Sequence, residues 1–596
     1  MRVENKDAYE RQKCLILVCS ITLAFIFYGI GSAAPLDSIM PKAEVQAGME
    51  GIGKTVFQGV KIEEFNVKIL GVLEKVLPGG GDLILAGLSG GPLDKTGVIA
   101  GMSGSPIYVN GRLIGALSYA WGFSKEPICG ITPIEDMLRL ASVETENVAP
   151  YKSDHGQPLI PLGTILMVNG FDNRILELMR DKFKQFNIIP MVGGGGVHEK
   201  VETSILPGSA VGVQLMRGDM DMSAIGTLTY RDGDNIAAFG HPFLWMGRSD
   251  FPLTGAYVHT ILPSQEISFK LASSLDMVGR INQDRVYGIG GRLNEFPKLI
   301  PVSITIRDDG LNDHRNYEVE VLDSKVFAPM LMEWAVTSAI MGVSKVMGEN
   351  TIKATQEILL DKMEPIKLEN LFYGSSNLFE FISSGGFTRP IHLLMDNQFG
   401  EVKFQRVRWE IEIKDIRKTA RIENIYLKKI EAEPGDEVKL GITLKTFSGE
   451  VVAKEVTIKL PDDTPQGIVL LGSCGGGELM NLEAMLGLPP TRPMRFLFWE
   501  TGEYNAYNLN QLIRLMEKEE KNNDLVVVAS IPRNRVDVLG EKLSSLPASM
   551  IEIMKNSTDT NVRIEMRDEL KVSEPTDWVI SGIKTINLVV KKKKGR

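Results

Sequence analysis

Residues 101–106 read Gly-Met-Ser-Gly-Ser-Pro. Glycine on either side of a serine lets the backbone turn where a side chain would block it, so the Ser103 hydroxyl leaves the strand pattern. The same turn can aim the N–H groups of Gly101 and Ser103 at one spot. Two such donors beside a hydroxyl make an oxyanion hole. Behind the turn, Ile107-Tyr108-Val109 and Leu113-Ile114 flank Asn110-Gly111, a pair suited to the left-handed positions of a two-residue hairpin. The stretch therefore predicts a β fold that presents Ser103 at the foot of a hairpin. An ordinary glycine-rich turn has the same local pattern, so the case for a nucleophile rests on the rest of the chain.

At 596 residues the chain is too long for one core and predicts roughly three or four domains. Its 59 glycines fit short strands joined by tight turns. A net charge of −9 over this length argues against nucleic acid as a partner, and Lys591–Lys594 reads as a solvated tail. Of the four cysteines, Cys14 and Cys19 fall in an N-terminal leader, which leaves Cys129 and Cys474. That excludes a disulfide framework and leaves one long-range bridge open. The six histidines are scattered without metal-ligand spacing, so no metal and no cofactor is expected.

Arg2, Lys6, Arg11 and Lys13 precede an uncharged run from Cys14 to Ile30, and Gly31-Ser32-Ala33-Ala34 follows. This is the layout of a secretory signal over 1–34. The apolar run is also just long enough to act as an uncleaved membrane anchor. Either way the remaining chain is expected outside the cytoplasm: periplasmic, in the cell envelope or extracellular.

Further domains follow from pattern changes. Residues 35–150 read as short strands between Gly, Pro and Asp clusters, a β-barrel half carrying Ser103. Residues 151–200 read as a connector, with Asp172 capping a helix whose apolar face is Ile175, Leu176, Leu178, Met179, Phe183 and Phe186. Gly193–Gly196 lacks the Lys-Ser/Thr of a phosphate loop and reads as a flexible loop. Residues 201–325 return to β pattern and place His241 just after a strand. Residues 326–399 read as a helical connector, with helices over Pro329–Met347 and Thr351–Lys362. Residues 400–462 alternate with period two, as in a sandwich module, and 463–596 read as a small α/β unit. Gly472-Ser473-Cys474-Gly475 has the look of a nucleophile turn without partners.

Two segments resemble one family, the SpoIVB sporulation peptidases, a group of trypsin-like serine peptidases. The first is Lys61–Ile69 with Lys95-Thr96-Gly97 and Gly101–Ile107. The second is Ile225–Leu228 with Phe239-Gly240-His241 and Asp284–Gly291. The resemblance implies Ser103 as nucleophile, His241 as general base, and an orienting aspartate upstream of the serine. Ser89 stands at that last position. Asp82 is the first alternative acid; Asp94 and Asp250 are the others. Two further departures stand out. The serine half precedes the histidine half, so the halves must pair as if permuted, or between two chains. No clear peptide-binding domain is visible, although 151–200 is where a remnant would sit.

The fold class implied is mainly β: a trypsin-like double β-barrel peptidase region, a β-sandwich-like module and a small α/β C-terminal domain. The function implied is an exported serine endopeptidase acting on protein or peptide substrates, for limited processing rather than digestion. The alternative is a non-catalytic envelope binding or scaffold protein that keeps the fold. Oligomeric state stays open.

Overall fold

The computed structural model describes residues 38–592 except 123, 140–159, 197–200, 202–203, 309–312, 344–348, 375–387, 490–505, 539–540, 544–545 and 557–561. The leader expected over 1–34 lies outside these residues. No helix among those described is long and apolar enough to cross a membrane. The chain divides into two compact units. One runs to Arg217 and resumes over Asp221–Lys298; the other comprises Gly218–Met220 and Leu299–Arg596.

The first unit opens with strands β1 (Glu50–Val56), β2 (Ile62–Leu77), β3 (Gly81–Ser89), β4 (Pro106–Val109), β5 (Arg112–Ala120) and β6 (Ile128–Pro133). They pair in the order β4-β1-β2-β3-β6-β5, and β4 also pairs with β5. That last pairing closes the sheet into a six-stranded barrel without free edges. Period-two alternation on β2 sends Phe65, Val67 and Ile69 inward and leaves Glu64, Asn66 and Lys68 in solvent. Inside, they meet Ile84, Ala86, Ile107, Val109, Leu117 and Ile131. The β4–β5 hairpin turns through Asn110 (φ 51°) and Gly111 (φ 75°), both left-handed as the dipeptide predicts.

A short strand β7 (Ile160–Pro161) pairs with β5. Next come β8 (Thr164–Asn169), the helix Asn173–Phe183 and β9 (Ile188–Val192). Strands β8 and β9 run parallel, as a helical crossover requires. Asp172 caps the helix by accepting from Arg174 N, and Ile175, Leu176, Met179 and Phe183 are its buried face. Three of the four glycines that follow are tied down by their N–H groups. Gly193 N donates to Val168 O, Gly194 N to Ala272 O and Gly195 N to Asn169 Oδ1.

The second barrel is built from β10 (Ala210–Gly218), β11 (Asp221–Asp232), β12 (Asn235–Ala238), β13 (Gly247–Leu262), β14 (Phe269–Arg285) and β15 (Gly288–Leu293). Their order is β10-β13-β14-β15-β12-β11, closed by β10 against β11. The result is the trypsin-like pair of six-stranded barrels, and the fold is mainly β. Here the barrel ends at Leu293. The strands Leu299–Asp308 and Asp313–Leu322, expected in the histidine half up to 325, belong to the second unit.

In the second unit the helix Ala328–Val343 is buried on most sides. Thr351–Lys362, expected as helix, is instead mostly the strand Asn350–Leu360, with alternate residues buried. Its Thr, Ile and Leu positions fit a half-buried sheet as well as a helix face, and pairing with Ile366–Gly374 and Phe404–Lys414 decides the matter. The alternating strands Thr419–Leu427, Glu437–Thr446 and Val451–Lys459 form one sheet with Val579–Ser581. A second sheet joins Glu431–Ala432, Gly467–Gly475, Asp524–Ile531, Asp568–Pro575 and Lys584–Val590. Both sheets share one core, in which Ile442, Leu444 and Val456 meet Val469, Val527 and Leu588. The expected boundary at 462/463 therefore falls inside a single sandwich rather than between two domains.

Candidate active site

Ser103 sits on the turn between the helix Leu93–Thr96 and β4. Gly101 (φ 95°) and Gly104 (φ 93°) both hold conformations that a side chain strongly disfavours. At Gly104 a Cβ would stand 1.9 Å from Thr227 O and 2.5 Å from Phe239 N. The serine turn is thus pressed backbone to backbone against the second barrel of the same chain. Thr227 N donates to Ser103 O at 2.8 Å, Thr227 Oγ1 to Gly101 O at 3.0 Å and Thr229 Oγ1 to Gly104 O at 2.7 Å. Gly104→Ala is expected to lower stability by roughly 3 kcal/mol, because the residue must leave its φ or push the facing backbones apart. Thermal unfolding of that variant against wild type checks the loss.

The N–H groups of the turn split into two sets. Met102 N donates to Ile99 O and Gly104 N to Leu117 O. Those of Gly101 and Ser103 make no hydrogen bond among the described residues. The carbonyl ends of their peptide units are held. Ala100 O accepts from Lys270 N at 3.1 Å, and Met102 O accepts from Ser105 N and Ser105 Oγ. Since carbonyl and N–H point in opposite directions across a trans peptide, anchoring each oxygen fixes where each free N–H points.

His241 follows β12 on Phe239-Gly240-His241. Thr132 Oγ1 of the first barrel donates to Gly240 O at 2.7 Å, backed by Ser118 Oγ at 2.7 Å from that hydroxyl. The segment therefore packs on both the serine turn and β5–β6. His241 Nδ1 lies 2.8 Å from Pro242 O. A carbonyl only accepts, so Nδ1 carries the proton and Nε2 keeps its lone pair. Nε2 is buried and has no partner among the described residues. Burial pulls the imidazole down to about 4, with the Pro242 carbonyl opposing. Ser103 and His241 are 2 % and 1 % exposed, and no hydrogen bond joins them.

None of the three candidate acids is a hydrogen-bond partner of His241. Asp82 accepts from Lys42 Nζ at 2.6 Å and Lys75 N at 2.8 Å, which lowers its pKa. Asp94 accepts from Gly90 N, and Asp250 pairs with Arg280. The carboxylate that serves the histidine segment is Asp284, on β14. It accepts from the N–H groups of Phe243, Leu244 and Met246 at 2.7, 2.7 and 3.1 Å. It thus cages the loop that carries Pro242, whose carbonyl holds the imidazole. Burial, partly offset by these N–H donors, raises its pKa. Asp284 lies in the Asp284–Gly291 segment that resembles the histidine half, well downstream of the position where the resemblance implies an acid. Asp284→Ala would strand two buried donors and a half-buried one and is expected to cost about 3 kcal/mol or more. Chemical denaturation of the variant measures it.

Cys129 and Cys474 are both buried, and neither forms a disulfide. Ser473 lies within the strand Gly467–Gly475, wholly buried, rather than on a turn. Among the described residues no group of three His, Cys, Asp or Glu side chains is placed to hold a metal.

The family model described as SpoIVB peptidase S55 matches residues 33–138. It spans the first barrel and Ser103; His241 lies beyond it. No curated protein and no solved structure matches the chain.

Proposed function

We propose that this chain, whose residues 33–138 match the SpoIVB peptidase S55 family model, is an exported serine endopeptidase. The observation that carries the reading is His241 Nε2, an unpartnered nitrogen in its proton-accepting tautomer on the segment packed against the serine turn. A buried polar atom without a partner is costly and calls for a role. In this reading Ser103 Oγ attacks a peptide carbonyl while His241 Nε2 takes its proton. The Gly101 and Ser103 N–H groups hold the developing oxyanion. Collapse of the intermediate returns the proton from Nε2 to the leaving amine, and water repeats the cycle on the acyl-enzyme. The Pro242 carbonyl takes the orienting place that a carboxylate fills in other triads. Protein or peptide substrates follow from the family, and the leader at 1–34, cleaved or retained as an anchor through 14–30, would put them outside the cytoplasm.

A second reading has its own support. The near-complete burial of Ser103 and His241, with no hydrogen bond between them, favours a barrel pair retained for binding. Incubation of the full chain with an unfolded polypeptide in ¹⁸O-water separates the two. The peptidase reading predicts new C-termini that carry ¹⁸O. Intact substrate after long incubation across a range of pH favours the binding protein.

A further inference from the structure

Lys270, near the start of β14, is 1 % exposed and lies inside the unit, against the serine turn rather than at the surface. A Cβ at Gly101 would stand 3.1 to 3.3 Å from its side-chain methylenes. Its backbone N–H donates to Ala100 O, and Ser268 O accepts from Ala100 N. Its ammonium group donates to Thr55 Oγ1 of β1 at 2.8 Å. Thr55 Oγ1 lies 3.5 Å from Thr227 Oγ1, whose proton goes to Gly101 O. With that proton committed, Thr227 accepts and Thr55 donates. The direction of the whole chain is then fixed: Lys270 Nζ to Thr55 to Thr227 to the Gly101 carbonyl. No carboxylate pairs with Lys270 among the described residues, and burial alone pulls its ammonium down to about 7. A lysine in such a place is a poor choice for stability, because an apolar side chain of the same length would pack without that penalty.

We propose that Lys270 is a positioning residue for the oxyanion donor Gly101, holding the two peptide units that flank it, one through its backbone N–H and one through the Thr55–Thr227 relay. The assignment rests on the peptidase reading and adds a residue to it. The backbone bond anchors Ala100 O and so turns the Gly101 N–H away from β14. The side-chain relay anchors Gly101 O and stops the next peptide from rotating. Methylene packing against Gly101 closes the space in which the turn could relax.

Lys270→Met keeps the length and the backbone bond and removes the donor. Thr55→Val breaks the relay one step on. The full-length proteins are treated with a fluorophosphonate probe, and inactivation rate, probe affinity and melting temperature are measured. Lys270→Met is expected to lower the maximal inactivation rate about tenfold, with probe affinity unchanged and a melting temperature equal to or above wild type. Thr55→Val is expected to lower the rate to the same extent but with a lower melting temperature, because it strands the buried ammonium, and the double variant to be no slower than Lys270→Met alone. A Lys270→Met protein that reacts at the wild-type rate overturns the proposal and leaves the peptidase reading intact. Loss of rate only in step with loss of folded protein overturns it as well. A wild-type protein that does not react at Ser103 overturns the peptidase reading and this proposal with it.

Discussion

Ser103→Ala is expected to reduce peptide-bond cleavage by roughly 10⁴- to 10⁶-fold while leaving the fold intact. The two halves of this expectation come from the same geometry. Ser103 Oγ makes no hydrogen bond among the described residues, so removing it strands no partner and is expected to cost about 0.5 kcal/mol or less. The backbone of the turn, by contrast, is held by Thr227 and Thr229, and those bonds persist in the variant. Activity and stability therefore separate at this residue. Initial rates on a fluorogenic peptide, with melting temperatures of both proteins, check both halves.

His241→Gln is expected to lower the cleavage rate about 10⁴-fold, because the amide cannot take up the serine proton. The residue also sets the pH dependence. Its imidazole is pulled from 6.5 to about 4 by burial, so the base is neutral and competent well below the usual histidine range. The cleavage rate should rise as pH climbs through about 4 and level off above it. Stability follows in a different window. Between pH 6.5 and 4 the unfolded chain binds a proton at this position and the folded chain does not, so stability rises with pH there. The neutral imidazole's contribution is complete above 6.5 and is lost as pH falls toward 4, about 3 kcal/mol in all. Denaturant melts of wild type and His241→Gln at pH 7, 5.5 and 4.5 should show the wild type losing stability relative to the variant as pH falls. The Lys270 ammonium titrates higher, so it does not blur this comparison.

The serine turn was legible because its signal is local. Two glycines, a proline and an Asn-Gly turn lie within about ten residues, and each demands a particular backbone. The closure of β4 on β5 and the uncommitted N–H groups of Gly101 and Ser103 follow from that demand. His241 was picked out by resemblance, and the pairing of its barrel with the serine barrel inside one chain was not legible. That pairing rests on hydroxyls of Thr227, Thr229 and Thr132, ordinary β residues that carry no signature. Asp284 was hidden for a related reason. A triad calls for a carboxylate that touches His241, whereas Asp284 acts one step away, on the N–H groups of the following loop. Lys270 was invisible because nothing in a sequence tells a buried lysine from an exposed one. Boundaries failed where strands pair across distance. Thr351–Lys362 takes its form from neighbours far along the chain, and the sandwich after Thr419 borrows its second sheet from residues beyond 463.

In the proposed mechanism Ser103 is chemically activated by its place against the second barrel. Peptide mapping by mass spectrometry after fluorophosphonate treatment of the full chain tests it most directly. One covalent adduct is expected, on Ser103, absent from Ser103→Ala and strongly reduced in His241→Gln. An unmodified Ser103, or a label that persists on another residue in Ser103→Ala, would contradict it.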